Sequence, residues 1–224
     1  MRIILVRHYK TLINVSNRIM GWGDAPRAQD WETDLAFVDK VLVENGIQVD
    51  AIYSSALERA RQTARYFARN RGMHLIRDTI QLNEVNYGRL FGKSKSWVAD
   101  HIPQYKPDAD FVYPGGESFR QMQQRSVDFL LSMERRHSSE RVLCVVHAGV
   151  IRGAICHFLG LDLTANLKRK VSHRYIGDLT IEGGVCRDYR EWGTLSGFIA
   201  DGVAVAAQQI GGPLPTGQAV RSAT

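Results

Sequence analysis

Two stretches of the chain, Ile3-Ile4-Leu5-Val6 and Val142-Leu143-Cys144-Val145-Val146, are apolar without polar alternation. Runs of that kind are strands buried on both faces, as in a parallel sheet covered by helices. A period near that of a helix takes over from about Asp34 to Asn45, where Leu35, Val38, Val41 and Leu42 share one face and Gly46 ends the pattern. Asp50 to Ser54 predicts a second strand, Ala56 to about Arg71 a helix stopped by Gly72, and Met73 to Ile76 a third strand. Gly115-Gly116 breaks the chain before a long helix from about Glu117 to Arg136, whose inner face carries Phe119, Met122, Val127, Leu130 and Leu131. The strand ending at Val146 comes next, then a helix from about Val150 to Phe158 closed by Gly160. Tyr175 to Glu182 and Val185 to Trp192 flank Gly183-Gly184, a pair suited to the positive φ angles of a hairpin turn.

Strands alternating with helices predict an α/β fold, a three-layer αβα arrangement with a mainly parallel sheet and an antiparallel hairpin at its edge. Residues 1–200 are expected to form one domain, and 201–224 a Gly-, Ala- and Pro-rich tail.

Composition narrows the class. Of 224 residues, 44% are hydrophobic and 23% charged, the balance of a globular domain with a real core. No apolar stretch approaches the roughly eighteen residues of a membrane span, and the short run before Arg7 does not make a signal peptide. A cytoplasmic protein is expected. The net charge of +6 favours anionic ligands, but no basic stripe interleaved with aromatics points to nucleic acid. Cys144, Cys156 and Cys186 lack metal-ligand spacing and are odd in number, so reduced thiols are expected.

In an open α/β sheet, ligands bind beyond the carboxyl ends of the strands. Arg7-His8 follows the first strand and His147 follows the fourth, so both imidazoles are expected on that edge. Ser54-Ser55-Ala56-Leu57-Glu58-Arg59 puts a strand end before a helix start, and Arg59 in the first turn can reach back to the same crevice. Glu84 lies in a loop after the third strand. Singly, a histidine after a strand is usually structural, and Arg59 and Glu84 read as solvated surface residues. Together they suit a histidine nucleophile facing a phosphoryl group.

On these motifs the chain resembles the histidine phosphatase superfamily, also called phosphoglycerate mutase-like. The family's Arg-His-Gly signature stands as Arg7-His8-Tyr9-Lys10-Thr11-Leu12-Ile13-Asn14, and its Gly-x-x-Asp-x-Pro loop as Gly21 to Pro26. The Ser-x-Leu-x-Arg-Ala-x-x-Thr-Ala motif is complete from Ser55 to Ala64. The acid loop at Leu82 to Gly92, the Gly-Gly-Glu-Ser helix start at Gly115 and the second-histidine strand follow in family order, over roughly residues 1 to 190.

The resemblance implies His8 as nucleophile, forming a phosphohistidine, with Arg7, Arg59 and His147 on the phosphoryl oxygens. Asn14 and the Ala148 backbone amide would add donors. Glu84 would protonate the leaving alkoxide and then activate water. No metal or other cofactor is required, and the implied partner is a small phosphorylated substrate, with a homodimer left open. Tyr87, Lys95 and Trp22 are further substrate-binding candidates, along with the Trp97 to Tyr113 region.

Two positions depart from the family pattern. Tyr9 and Lys10 replace the usual Gly and Glu, so Tyr9 either shapes the pocket or points away from it. His147-Ala148-Gly149-Val150-Ile151-Arg152 looks like the phosphatase branch, whereas the acid loop with Tyr87 and Lys95 looks like the mutase branch. The segment from Ser96 to Tyr113 lacks the paired arginines that mutases use. A phosphatase acting on a small phosphorylated metabolite is therefore expected. Mutase-type phosphoryl transfer and a non-catalytic phospho-ligand binder are the alternatives.

Overall fold

Strand β1 (Arg2–Arg7) lies in the middle of a six-stranded sheet because its side chains are apolar on both faces. Ile3 and Leu5 enter one core and Ile4 and Val6 the other, all fully buried. The computed structural model describes residues 1–105, 108–192, 199–200 and 203–204. In chain order the first elements are α1 (Leu12–Val15), α2 (Trp31–Glu44), β2 (Ala51–Ser55), α3 (Glu58–Asn70), β3 (Ile76–Thr79) and α4 (Lys95–His101). Then come α5 (Phe119–Met133), β4 (Arg141–Val146), α6 (Ala148–Phe158), α7 (Leu163–Asn166), β5 (Ile176–Glu182) and β6 (Val185–Trp192). A two-strand ribbon, β7 (Ile199–Ala200) with β8 (Val203–Ala204), ends the described chain. Apart from β8, the tail expected over 201–224 lies outside the described residues.

The sheet order is β3-β2-β4-β1-β5-β6. The first four strands run parallel, and β5 and β6 add the antiparallel hairpin. Helices α2 and α3 cover one face through Leu35, Val38, Leu42 and Phe67. Helices α5 and α6 cover the other through Phe119, Met122, Leu130 and Ile151. Each fully buried aliphatic side chain contributes roughly 1.5–3 kcal/mol, so these layers fix the strand ends on which the site depends. The α/β sandwich with its mainly parallel sheet is the expected architecture.

Local deviations have local causes. Ser118 caps α5 with its hydroxyl, and Gln121 reciprocates, so the helix begins at Phe119 rather than Glu117. The third strand runs from Ile76 to Thr79, later than its apolar residues suggested. It is an edge strand with two exposed positions, so pairing with β2 rather than burial sets its limits. Gly183 and Gly184 both take positive φ, 59° and 77°, and close the β5–β6 hairpin as the glycine pair predicts.

Candidate active site

His8 leaves the end of β1 with its amide still donating to Val146 at 3.0 Å, so the sheet carries the nucleophile candidate to its carboxyl edge. Its Nδ1 lies 2.6 Å from the Tyr9 carbonyl oxygen. A carbonyl only accepts, so Nδ1 bears the proton and Nε2 keeps its lone pair. His147 ends β4 alongside, its ring centroid 4.9 Å from that of His8. Neither ring nitrogen of His147 has a hydrogen-bond partner among the described residues.

Burial, aided by the charges of Arg59 and Arg7, holds both imidazoles well below the ordinary histidine pKa. His173 packs edge-on against His8 at 5.5 Å, donates Nδ1–H to the His8 carbonyl at 2.8 Å, and is lowered mainly by burial as well. The unfolded chain protonates these positions once pH drops below about 6.5, whereas the folded chain does not. Folding stability is therefore expected to fall as pH decreases from that point, by as much as ~1.4 kcal/mol per pH unit for each histidine. Denaturant midpoints at pH 7 and pH 5.5 check this, and equal midpoints would refute it.

The cations are fixed by backbone carbonyls. Arg59, in the first turn of α3, donates to the carbonyls of Gly23 (2.7 Å) and Gly21 (2.6 Å), with Asp24 at 3.5 Å. It is 1% exposed. The Arg7 guanidinium donates to the Val171 carbonyl. Burial lowers both arginines to about 10, so both remain charged at neutral pH. Asn14 closes a capping box with Thr11 at the start of α1. That box occupies its carbonyl oxygen.

Glu84 is held from both ends. Its Oε2 accepts the Gly149 amide at the N-terminus of α6 (3.1 Å), and Oε1 accepts the Val85 amide (3.0 Å). A Cβ at position 149 would sit 2.0 Å from Glu84 Oε1, which is why glycine stands there. The Glu84 carbonyl accepts from Trp22 Nε1 (2.5 Å) and Arg125 Nη2 (2.9 Å). Arg125 also pairs with Glu117, and Asn83 ties the loop to β2 through Ser55 (2.9 Å) and the Ala56 amide (3.0 Å).

Arg7, His8, Asn14, Arg59, Glu84, Tyr87, Lys95 and Ala148 all line one cleft of about 90 Å³. Of the sequence candidates, His147 stands behind His8 instead of on the cleft wall. Trp22 is off the wall too, anchoring the Glu84 loop. From the Trp97 to Tyr113 region, Tyr105 reaches the cleft, whereas Trp97 stacks on His101. Four residues were missed in the sequence: Arg18 and Arg152 on the cleft wall, His173 against His8, and Arg125 behind Glu84. Arg152 was visible one turn beyond His147. His173 and Arg125 had no local signal.

Tyr9 points away from the cleft. It is 3% exposed, packs edge-on against Trp31 at 5.5 Å and hydrogen-bonds Gln62 at 3.0 Å. Its φ is not positive, so replacing glycine stores no strain there. Tyr9→Ala is expected to cost about 3–5 kcal/mol of stability while leaving the KM for an aryl phosphate unchanged. Thermal unfolding and steady-state kinetics check the pair of effects, and a raised KM in folded variant would place Tyr9 at the pocket.

Among the described residues no group of three or more His, Cys, Asp or Glu side chains could hold a metal ion, and no helix is long and apolar enough to cross a membrane.

Comparison with known proteins agrees with this geometry. A 2,3-bisphosphoglycerate-dependent phosphoglycerate mutase of Bartonella henselae is 30% identical over 170 residues, covering 71% of this chain and 82% of that one. The structure of Bacillus stearothermophilus YhfR aligns with a TM-score of 0.73 at 27% identity, over 83% of this chain and 93% of the other. A mycobacterial glucosyl-3-phosphoglycerate phosphatase shares the fold, with a TM-score of 0.71 at 23% identity over 80% and 92% of the two chains. The model of the histidine phosphatase superfamily (branch 1) matches residues 3–189. The chain belongs to the histidine phosphatase superfamily.

Proposed function

We propose that this protein is a phosphatase that hydrolyses a small phosphorylated metabolite through a phosphohistidine on His8, without a metal ion. The observation that carries this reading is a neutral His8, proton on Nδ1, on one small cleft with Arg7, Arg59 and Glu84.

His8 Nε2 attacks phosphorus as the ester P–O bond breaks. Arg7 and Arg59 meet the charge spread over the phosphoryl oxygens, and His147 backs the His8 ring at 4.9 Å. Glu84 gives its proton to the leaving alkoxide, then takes one from the water that attacks the phosphohistidine. The P–N bond breaks, phosphate leaves and His8 returns neutral. Mutase-type transfer would use the same first step, and the similarity to curated mutases keeps it as the second reading.

The test is turnover of 4-nitrophenyl phosphate in excess EDTA, with acid-labile, base-stable label trapped on the protein from radiolabelled substrate. Stoichiometric inorganic phosphate supports hydrolysis. Activity that requires added metal, or turnover with no trapped label, would overturn the reading. Phosphoryl transfer between acceptors with little free phosphate would favour the mutase.

A further inference from the structure

Beside the reaction cleft lies a wider cavity of about 480 Å³ that shares Arg7, Asn14, Lys95, Ala148 and Arg152 with it. Its remaining charged wall consists of Lys10, Lys168, Arg169 and Lys170, and no carboxylate lines it. Several arginines elsewhere sit against acids, as in Arg61 with Asp78, Arg71 with Asp39 and Arg174 with Asp34. None of Lys10, Lys95, Arg152, Lys168 or Lys170 has an ion-pair partner among the described residues.

Arg152 is the second observation. It is 7% exposed, donates Nε to the Arg169 carbonyl at 2.9 Å, and leaves Nη1 buried without a partner. A buried charged donor is normally satisfied. Arg152 borders both cavities, so an anionic oxygen at their junction would satisfy it. The lysines are held close by backbone contacts that frame the loop: Arg169 and Val171 supply carbonyls to Arg152 and Arg7, and His173 donates to His8. Lys95 is lowered by burial and by the charges of Arg7, Arg152 and Lys170, a crowding of like charge that an anion would relieve.

Building on the phosphatase reading, we propose that the substrate carries a second anionic group, a carboxylate or another phosphate, on its leaving-group side. Arg152, Lys168, Lys170 and Lys10 hold that group in the wider cavity while the phosphoryl group faces His8. A charged wall used only to attract anions from a distance would not need a buried guanidinium at the junction. The specificity determinant is thus the loop before β5, with Lys10 completing the wall.

The experiment uses short linear alkyl phosphates ended by hydroxyl, carboxylate or a second phosphate, in several chain lengths. For wild type, the best carboxylate- or phosphate-ended member is expected to show a kcat/KM about tenfold or more above its hydroxyl-ended match, about 1.4 kcal/mol. The carboxylate and phosphate arms identify which group is preferred. In the Lys168→Gln/Lys170→Gln double variant, both changes at exposed positions, that preference should vanish while the hydroxyl-ended rate holds. No preference in wild type, or an equal loss for all three endings, would overturn the second-anion site while leaving the phosphatase reading intact. Failure to release phosphate from every member, with 4-nitrophenyl phosphate also inert, would overturn the phosphatase reading and this inference with it.

Discussion

His8→Ala is expected to lower kcat for any phosphate ester by roughly 10⁴-fold or more, the scale seen when a covalent nucleophile is removed. The reason is geometric. His8 Nε2 is the free nitrogen of a ring whose other nitrogen is tied to the Tyr9 carbonyl, and Arg59 and Glu84 share its cleft. No other cleft residue offers a neutral nitrogen of this kind, because the remaining ones are guanidinium, ammonium or amide groups. The variant should fold, since the His8 side chain's one hydrogen bond is to a neighbouring carbonyl. It should also lose stability less steeply on acidification, because one imidazole that must stay neutral when folded is gone. Rapid-quench labelling provides the decisive measurement: wild type accumulates phosphoprotein and the variant does not. Label retained in the variant would move the nucleophile elsewhere.

Glu84→Gln should slow turnover of alkyl phosphates by roughly 10²-fold or more and leave phosphate binding near normal. The amide keeps one acceptor for the two backbone N–H groups that Glu84 now satisfies, so the loop should stay in place through Trp22 and Arg125. The leaving group separates the two proposed duties of the carboxyl. A 4-nitrophenolate departs without protonation, so phosphorylation of His8 by the aryl ester should stay fast in the variant. Dephosphorylation still needs a base to activate water. The expected trace is a burst of nitrophenolate equal to the enzyme concentration, followed by a slow steady state. A burst phase slowed as much for the aryl ester as for an alkyl ester would remove Glu84 from the role of acid.

The parts of this molecule that could be read from its sequence are those set by local pattern. The unbroken apolar runs gave β1 and β4, and the histidine at the end of each run falls on the sheet's carboxyl edge. The Gly183-Gly184 turn and the inner face of α5 are likewise written in short windows. Strand β3 was placed too early because Met73, Leu75 and Ile76 look strand-like, whereas pairing with β2 selects Ile76 to Thr79. The supports of the site are long-range and have no such window. Arg125 reaches the Glu84 carbonyl across 41 residues, and His173 reaches the His8 carbonyl across 165. Arg59 was legible as a helix-start cation, but its grip on the Gly21 and Gly23 carbonyls was not. Trp22 read as a substrate contact, and the fold uses its indole N–H to brace Glu84.

The start of α6 has room for one guest only. With Glu84 Oε1 2.0 Å from where a methyl at 149 would be, the hydrogen of that glycine is what lets the Glu84 carboxylate sit beside the cleft. A single carbon added there would evict the carboxylate while sparing every cation and both imidazoles. On the proposed mechanism the result would be a shell that still grips phosphorylated compounds but turns them over far more slowly. If the proposed mechanism holds, inheritance has a one-step path from a fast to a slow version of this site.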